Sequence, residues 1–223
     1  MPNCAECKYF DKSLGVCAAR HNKLEQGLTT ATYQVRRCVN AILEGCLQEM
    51  SGRVLEVGFG VNLTCQRMVN SLSNAKWYGI DPRWKNKKRK AHFGQNWFRM
   101  SVDDIKFPDG YFDAVYASQT MEHWGEAWGR YRRPTATIDS GLAEIARVLK
   151  PGGLLFIDVP MLSHGGDIFV NGDEAEVLSV FKTGTWCDVS SESWGKDCSP
   201  LERFPGEEGW YVFSIRAVRE KAV

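Results

Sequence analysis

The sequence predicts an α/β protein whose sheet is mainly parallel and covered by helices on both faces, with a small cysteine-rich head in front. Three observations carry this expectation. Short apolar runs alternate with amphipathic helical segments along most of the chain. One of those runs, Val54-Leu55-Glu56-Val57, leads straight into Gly58-Phe59-Gly60. Four of the eight cysteines (Cys4, Cys7, Cys17 and Cys38) fall in the first 38 residues.

In chain order, residues 1 to 28 are polar, cysteine-bearing and without a clear period. Apolar residues Val35, Val39, Ile42, Leu43, Cys46 and Leu47 then recur at steps of three and four, predicting a helix over 29–50 that Ser51-Gly52 ends. Residues 53–57 read as a first strand, 62–72 as a helix, and 77–80 as a second strand ending at Asp81-Pro82. Residues 97–100 are a candidate third strand and 112–117 a fourth. Leu142, Ile145, Ala146 and Leu149 share one face of a helix over 141–150, which Pro151-Gly152-Gly153 terminates. Residues 154–159 form an apolar fifth strand. One more helix over 173–182 and strands at 185–189 and 210–217 complete the reading. The expected boundaries are a head over 1–38 and a main domain over 39–223.

The chain has 223 residues and a formal charge of +1, with 43% hydrophobic and 25% charged residues, so a wholly disordered chain is excluded. No apolar run approaches the roughly 18 residues of a membrane span, and the first residues lack a signal core. A cytoplasmic protein with no membrane partner is expected. The near-neutral charge hides polarity. Residues 83–92 hold Arg83, Lys85, Lys87, Lys88, Arg89 and Lys90 with no acid, whereas 167–208 hold ten acidic residues against three basic.

A strand that ends in Gly-x-Gly before a helix lets the backbone approach a ligand closely, and free N–H groups at the helix start hold anionic groups. A nicotinamide-type fingerprint would need a third glycine at the position of Leu63, so that reading fails on spacing. Asp81, 25 residues after Glu56, ends the second strand. It is either a turn former before Pro82 or an acceptor for ribose hydroxyls.

Together with that loop, Asp81, Phe107-Pro108-Asp109-Gly110-Tyr111-Phe112-Asp113, Met121-Glu122-His123 and Glu144-Ile145-Ala146-Arg147-Val148-Leu149-Lys150-Pro151-Gly152-Gly153 stand in one order. This set resembles the class I S-adenosylmethionine-dependent methyltransferases, in their small-molecule-type branch, over roughly residues 50–160. The resemblance implies a Rossmann-like, doubly wound sheet of seven strands whose last strand is antiparallel. It implies S-adenosylmethionine as cofactor, with Gly58, Phe59 and Gly60 beside its methionine part and Glu56 supporting the loop or the ammonium. Asp81 would hold the ribose, Ser101 and Val102 the adenine, and Gln119 would stand near the sulfonium. Two positions depart from the family pattern. Ser101 replaces an acid, with Asp103 as the nearby substitute, and Asn62 stands where a third glycine is common. His123 is the candidate catalytic base for an oxygen or nitrogen acceptor; the competing reading is that it only shapes the pocket. Ser118-Gln119-Thr120-Met121 lacks the Pro-Pro-aromatic signature of exocyclic base methylation.

Cys4, Cys7, Cys17 and Cys38 give the spacing C-x2-C-x9-C-x20-C, suited to a thiolate metal site holding zinc or an iron–sulfur cluster. Cys17 and His21 form a competing C-x3-H pair that would make a zinc site without Cys38. The basic run around Trp84, and Arg130, Arg132 and Arg133, suit a phosphorylated or acidic ligand or simply a solvated surface. Trp124 and Trp128, one helical turn apart, line a substrate mouth or pack in the core. The expected substrate is a small molecule. The alternatives are an RNA methyltransferase gripping RNA with its head and basic loop, and a non-catalytic binding protein on the same fold.

Overall fold

The computed structural model describes residues 10–11, 16–17, 45–46, 48–59, 75–82, 96–125, 136–162, 165–195 and 211–221. Within the head, β1 (Phe10–Asp11) and β2 (Val16–Cys17) pair antiparallel, which the aperiodic sequence did not announce. The main sheet contains β3 (Gly52–Val57), β4 (Ala75–Ile80), β5 (Trp97–Phe98), β6 (Phe112–Ser118), β7 (Leu149–Met161), β8 (Trp186–Trp194) and β9 (Tyr211–Arg219). Its order is β5-β4-β3-β6-β7-β9-β8. All neighbours are parallel except β9, which runs antiparallel between β7 and β8. The seven strands and the antiparallel last one are therefore as expected.

Boundaries moved for identifiable reasons. Helix α1 (Ile138–Val148) starts earlier than the apolar period suggests, because Thr137 and Ser140 form a reciprocal capping box. It also ends earlier. Leu149 is already extended, two residues before Pro151, and pairs with Phe112 as the first residue of β7. Pro151, Gly152 and Gly153 thus lie within β7, in an irregularity between the Phe112 and Ala114 pairings, rather than between helix and strand. The next helical stretch divides into α2 (Asp167–Val170) and α3 (Glu174–Ser179), the latter capped by the Asp173 side chain. β8 runs five residues further than the strand expected over 185–189, through a polar stretch whose residues 190–192 are exposed. The helix expected over 29–50 is described only at its end, where residues 45–46 and 48–49 are helical; the helix expected over 62–72 lies outside the described residues. Among the described residues no helix is long and apolar enough to cross a membrane.

Strand alternation divides the sheet. Leu55, Val57, Val115, Ala117, Leu155, Ile157 and Val159 pack with Leu142, Ile145, Phe169, Val177 and Phe181 in one continuous core. Val54, Glu56, Tyr116, Phe156 and Asp158 share the other face by register, and Tyr116 stacks on Phe156 at 5.9 Å between ring centres. Arg216 of β9, on this second face, reaches Glu49 at 3.0 Å.

Arg147 of α1 ties the helix to the loop before β6. It donates to the carbonyls of Ile105 (2.7 Å) and Phe107 (2.9 Å) and to Asp109 and Glu144. Glu144 accepts the Ile105 N–H at 3.0 Å, and the guanidinium holds its carboxyl below the ordinary value. Arg147→Met leaves two carbonyls without their donor. It should cost about 2 kcal/mol, or a fall of roughly 4–8 °C in Tm. An unchanged thermal unfolding curve would remove Arg147 from the set of stabilising contacts.

Candidate functional site

The strand order reverses between β3 and β6: the chain moves outward from β3 to β4 and β5, and the other way from β6 to β7. A crevice opens outside the carboxyl ends of two such strands because no connection crosses there. Gly58 leaves β3 at φ +74°, and its N–H donates to the Ile80 carbonyl at 2.8 Å. A Cβ on Gly58 would collide with the Thr120 side chain, which lies directly against the turn. The Thr120 hydroxyl lies 2.9 Å from the Ser118 carbonyl of β6 and 3.4 Å from the Val57 carbonyl of β3, so the tips of the two strands are packed together.

Phe59 follows and meets Trp97 of β5 edge-to-face at 4.6 Å. The Trp97 ring lies against Gly79, where any Cβ would overlap it. Gly79 is thus a slot that lets an aromatic pair form over β4, a role the sequence reading did not give to either residue. Asp81, one residue past β4, is 2% exposed, and Glu56, one residue before the end of β3, is 3% exposed. Ser101 is half-buried in the turn after β5. Val102 is buried in the core and approaches Gly141 of α1, so its contacts are with the helix. One carboxylate oxygen of Asp103 is shielded from solvent with no partner.

Beyond β6, Met121–His123 form a 3-10 turn. Glu122 is fully buried, and its Oε1 lies 3.6 Å from His123 Nε2, on a side chain that is one-quarter exposed. Gly165 fits against the Glu122 backbone, and the Gly166 N–H donates to its carbonyl at 3.1 Å. Trp124 packs against Gly141 and the main core, which favours the packing role weighed for it.

Gln119 is the residue at the tip of β6, with φ +49°. Its backbone N–H donates to the Asp158 carbonyl at 2.8 Å and its side-chain Nε2 to Asp158 Oδ1 at 2.7 Å. Ser118 Oγ donates to the same oxygen at 3.0 Å. Asp158 is fully buried. Burial pushes its carboxyl up to about 7, against the lowering effect of the Gln119 and Ser118 donors. The sequence reading passed over Asp158 because it sits inside an apolar strand. The available signal was an acid in a run otherwise filled by Leu, Phe, Ile and Val.

Gly60, Asn62, the basic residues of 83–92, Trp128, Arg130, Arg132 and Arg133 lie outside the described residues, as do Cys4, Cys7, Cys38 and His21. Cys17 is described only as part of β2. Among the described residues no group of three or more His, Cys, Asp or Glu could hold a metal ion. Cys46 is a free thiol that burial, with Glu49 and Asp158 adding, pushes up to about 12. It therefore stays neutral, in keeping with its apolar place in the helix pattern.

Comparison with known proteins bears on this geometry. Residues 55–157, slightly under half the chain, match the family described as a methyltransferase domain. Among solved structures, the chain is similar to the 1,6-didemethyltoxoflavin-N1-methyltransferase of Burkholderia thailandensis with bound 1,6-didemethyltoxoflavin and S-adenosylhomocysteine. The TM-score is 0.60 at 15% identity, over 92% of this chain and 85% of that one. The fold is that of the S-adenosylmethionine-dependent methyltransferases. A methyltransferase of this kind from Archaeoglobus fulgidus gives a TM-score of 0.59 at 14% identity, over 82% and 94% of the two chains. The phosphoethanolamine N-methyltransferase 2 of Haemonchus contortus, in complex with phosphomonomethylethanolamine and S-adenosylhomocysteine, gives 0.57 at 13% identity. That match covers 77% of this chain and 49% of the other, so this chain spans about half the length of that enzyme. Among curated proteins, none matches this sequence.

In the methyltransferase fold, Asp158 stands on the fifth strand of the sheet beside the crevice. Its pH linkage follows from its burial. The folded protein binds a proton that the unfolded chain releases between about pH 4 and 7, so stability falls as pH rises through that window and levels off above it. Asp158→Asn removes the cost of burying the charge. Between pH 5 and 8 the variant should gain on the parent by about 2–3 kcal/mol in unfolding free energy. Denaturant titrations at both pH values check this; a constant difference would mean that Asp158 does not take up a proton on folding.

Proposed function

We infer that the protein is an S-adenosylmethionine-dependent methyltransferase acting on a small molecule. The observation that carries this reading is the joint position of Gly58 and Asp81 at the carboxyl ends of β3 and β4, beside the strand-order reversal. The residues present suit the cofactor. The Gly58 turn leaves backbone uncovered by a Cβ for its methionine part, Asp81 offers acceptors for its ribose, and the unpartnered Asp103 oxygen offers one more for its adenine. Glu56 and Asp81 are buried at the ends of β3 and β4, Glu122 in the turn after β6, and Asp158 on β7 level with the last residue of β6.

When bound, the cofactor supplies a methyl group already activated by its sulfonium. The chain's own part is to exclude water and hold the acceptor in line, which can supply on the order of 7–11 kcal/mol. Phe59 and Trp97 pack edge-to-face beside the Gly58 turn. His123 takes the acceptor's proton, its Nε2 lying 3.6 Å from the buried Glu122 carboxyl. The two similar enzymes that hold small acceptors, one of them phosphorylated, support a small and possibly phosphorylated acceptor here.

Calorimetry on the full chain tests the cofactor. S-adenosylmethionine and S-adenosylhomocysteine should bind with micromolar Kd, and Asp81→Ala should weaken both by about tenfold or more. No heat of binding at either ligand would overturn the reading.

The cysteine spacing supports a second part of the proposal, a metal-binding head over residues 1–38 joined to a methyltransferase domain over 39–223. Elemental analysis with an absorption spectrum decides between the two metals. One colourless zinc per chain fits a zinc head, and a brown protein with iron and sulfide fits a cluster. A purified chain with neither would overturn the head.

A further inference from the structure

Asp158 and Gln119 are linked twice, by backbone and by side chain, between the tip of β6 and the adjoining stretch of β7. Gln119 holds a left-handed backbone at φ +49°, which costs a non-glycine residue about 1 kcal/mol. That turn brings Thr120 beneath Gly58, so Gln119 stands at the reversal of strand order. Asp158 is fully buried, and its Oδ2 is shielded with no partner. An ionised carboxylate accepts hydrogen bonds only. The Gln119 amide must therefore turn its NH2 toward Asp158 and its carbonyl oxygen elsewhere.

We propose that Asp158 is a positioning residue that holds Gln119 with its carbonyl oxygen, and not its NH2, toward the ligand crevice, so that the site prefers the sulfonium cofactor over its thioether product. The inference rests on the cofactor reading above. A carbonyl dipole attracts the polarised methyl of a sulfonium, whereas an NH2 repels it. The neutral thioether gains far less from that choice. Once Asp158 is protonated it both donates and accepts, and the amide is free to sit either way round. The preference should therefore grow as pH rises through neutrality. Other groups face the same region. Cys46 and Glu49 come from the helix on this face, Arg216 from β9 and Glu192 from β8; Glu56 of β3 shares the face. All of them, and the ligands' own ionisations, are common to the parent and its variants.

The test measures the ratio of S-adenosylmethionine to S-adenosylhomocysteine affinity by calorimetry, from pH 5.5 to 8.5, on the full chain. The parent is compared with Asp158→Asn and with Gln119→Met, both close in volume to the residue replaced. In the parent the ratio should rise about three- to tenfold more than in either variant, the fraction of correctly turned amide setting the size. A pH dependence equal in all three proteins overturns the proposal. So does one lost in Asp158→Asn but kept in Gln119→Met, since that outcome assigns the effect to the Asp158 charge itself. A role confined to packing would move Tm and leave the ratio alone, which also overturns it. Failure of both ligands to bind at every pH overturns the cofactor reading instead, and this inference with it.

Discussion

β3 and β6 lie side by side and parallel, and the chain leaves them in opposite directions. Every feature of the candidate site depends on that arrangement. The backbone emerging from β3 has to turn before it can enter the next segment, and it does so at Gly58, whose N–H is held by Ile80 of β4. The backbone emerging from β6 turns at Gln119, held by Asp158 of β7. Each tip is thus tied to its outer neighbour, while Thr120 fills the space between them. The two turns share one physical requirement, a positive φ, met by a glycine on one strand and by a doubly hydrogen-bonded glutamine on the other.

The faces of the sheet do different work. The face toward α1, α2 and α3 is apolar without interruption and carries the largest core cluster. Burial there needs no ligand. The second face mixes aromatic rings with acids: Tyr116 and Phe156 stack, while Glu56 and Asp158 lie on the same side. A fold whose stability comes from one face tolerates charge at the rim of the other.

The strands were readable because they are apolar runs bounded by turn residues, and four of the five expected in the parallel part start within two residues of the expected position. β7 is the exception. Its first residues, Leu149 and Lys150, complete a helical period in sequence but are pulled into the sheet by pairing with Phe112. Tertiary pairing overrode local periodicity, as it commonly does at element ends. Of the candidate site, the positions of Gly58 and Asp81 just past β3 and β4 were legible, because motif and strand end coincide there. The site was not legible where one residue makes room for another. Nothing in the local sequence links Gly79 to Trp97, or Thr120 to Gly58, because those contacts exist only after the strands are in register. Asp158 was hidden for the same reason. Its partner Gln119 is 39 residues away, and only the β6–β7 pairing brings them together.

The buried acids finally connect stability to ligand binding. Burying a carboxylate carries a desolvation cost that a neutral core residue would not, and Asp158 shows that cost in its raised carboxyl. Glu56, Asp81 and Glu122 are buried as well, near the carboxyl ends of β3, β4 and β6, on the rim of the strand-order reversal. A ligand that brings positive charge and hydrogen-bond donors to that rim offsets the cost only in the folded protein. Binding then stabilises the fold by mass action, about 2.7 kcal/mol at a hundredfold excess over Kd. The sheet's apolar face carries the large core, and the buried acids stand on the other side of that division, where such a ligand would act.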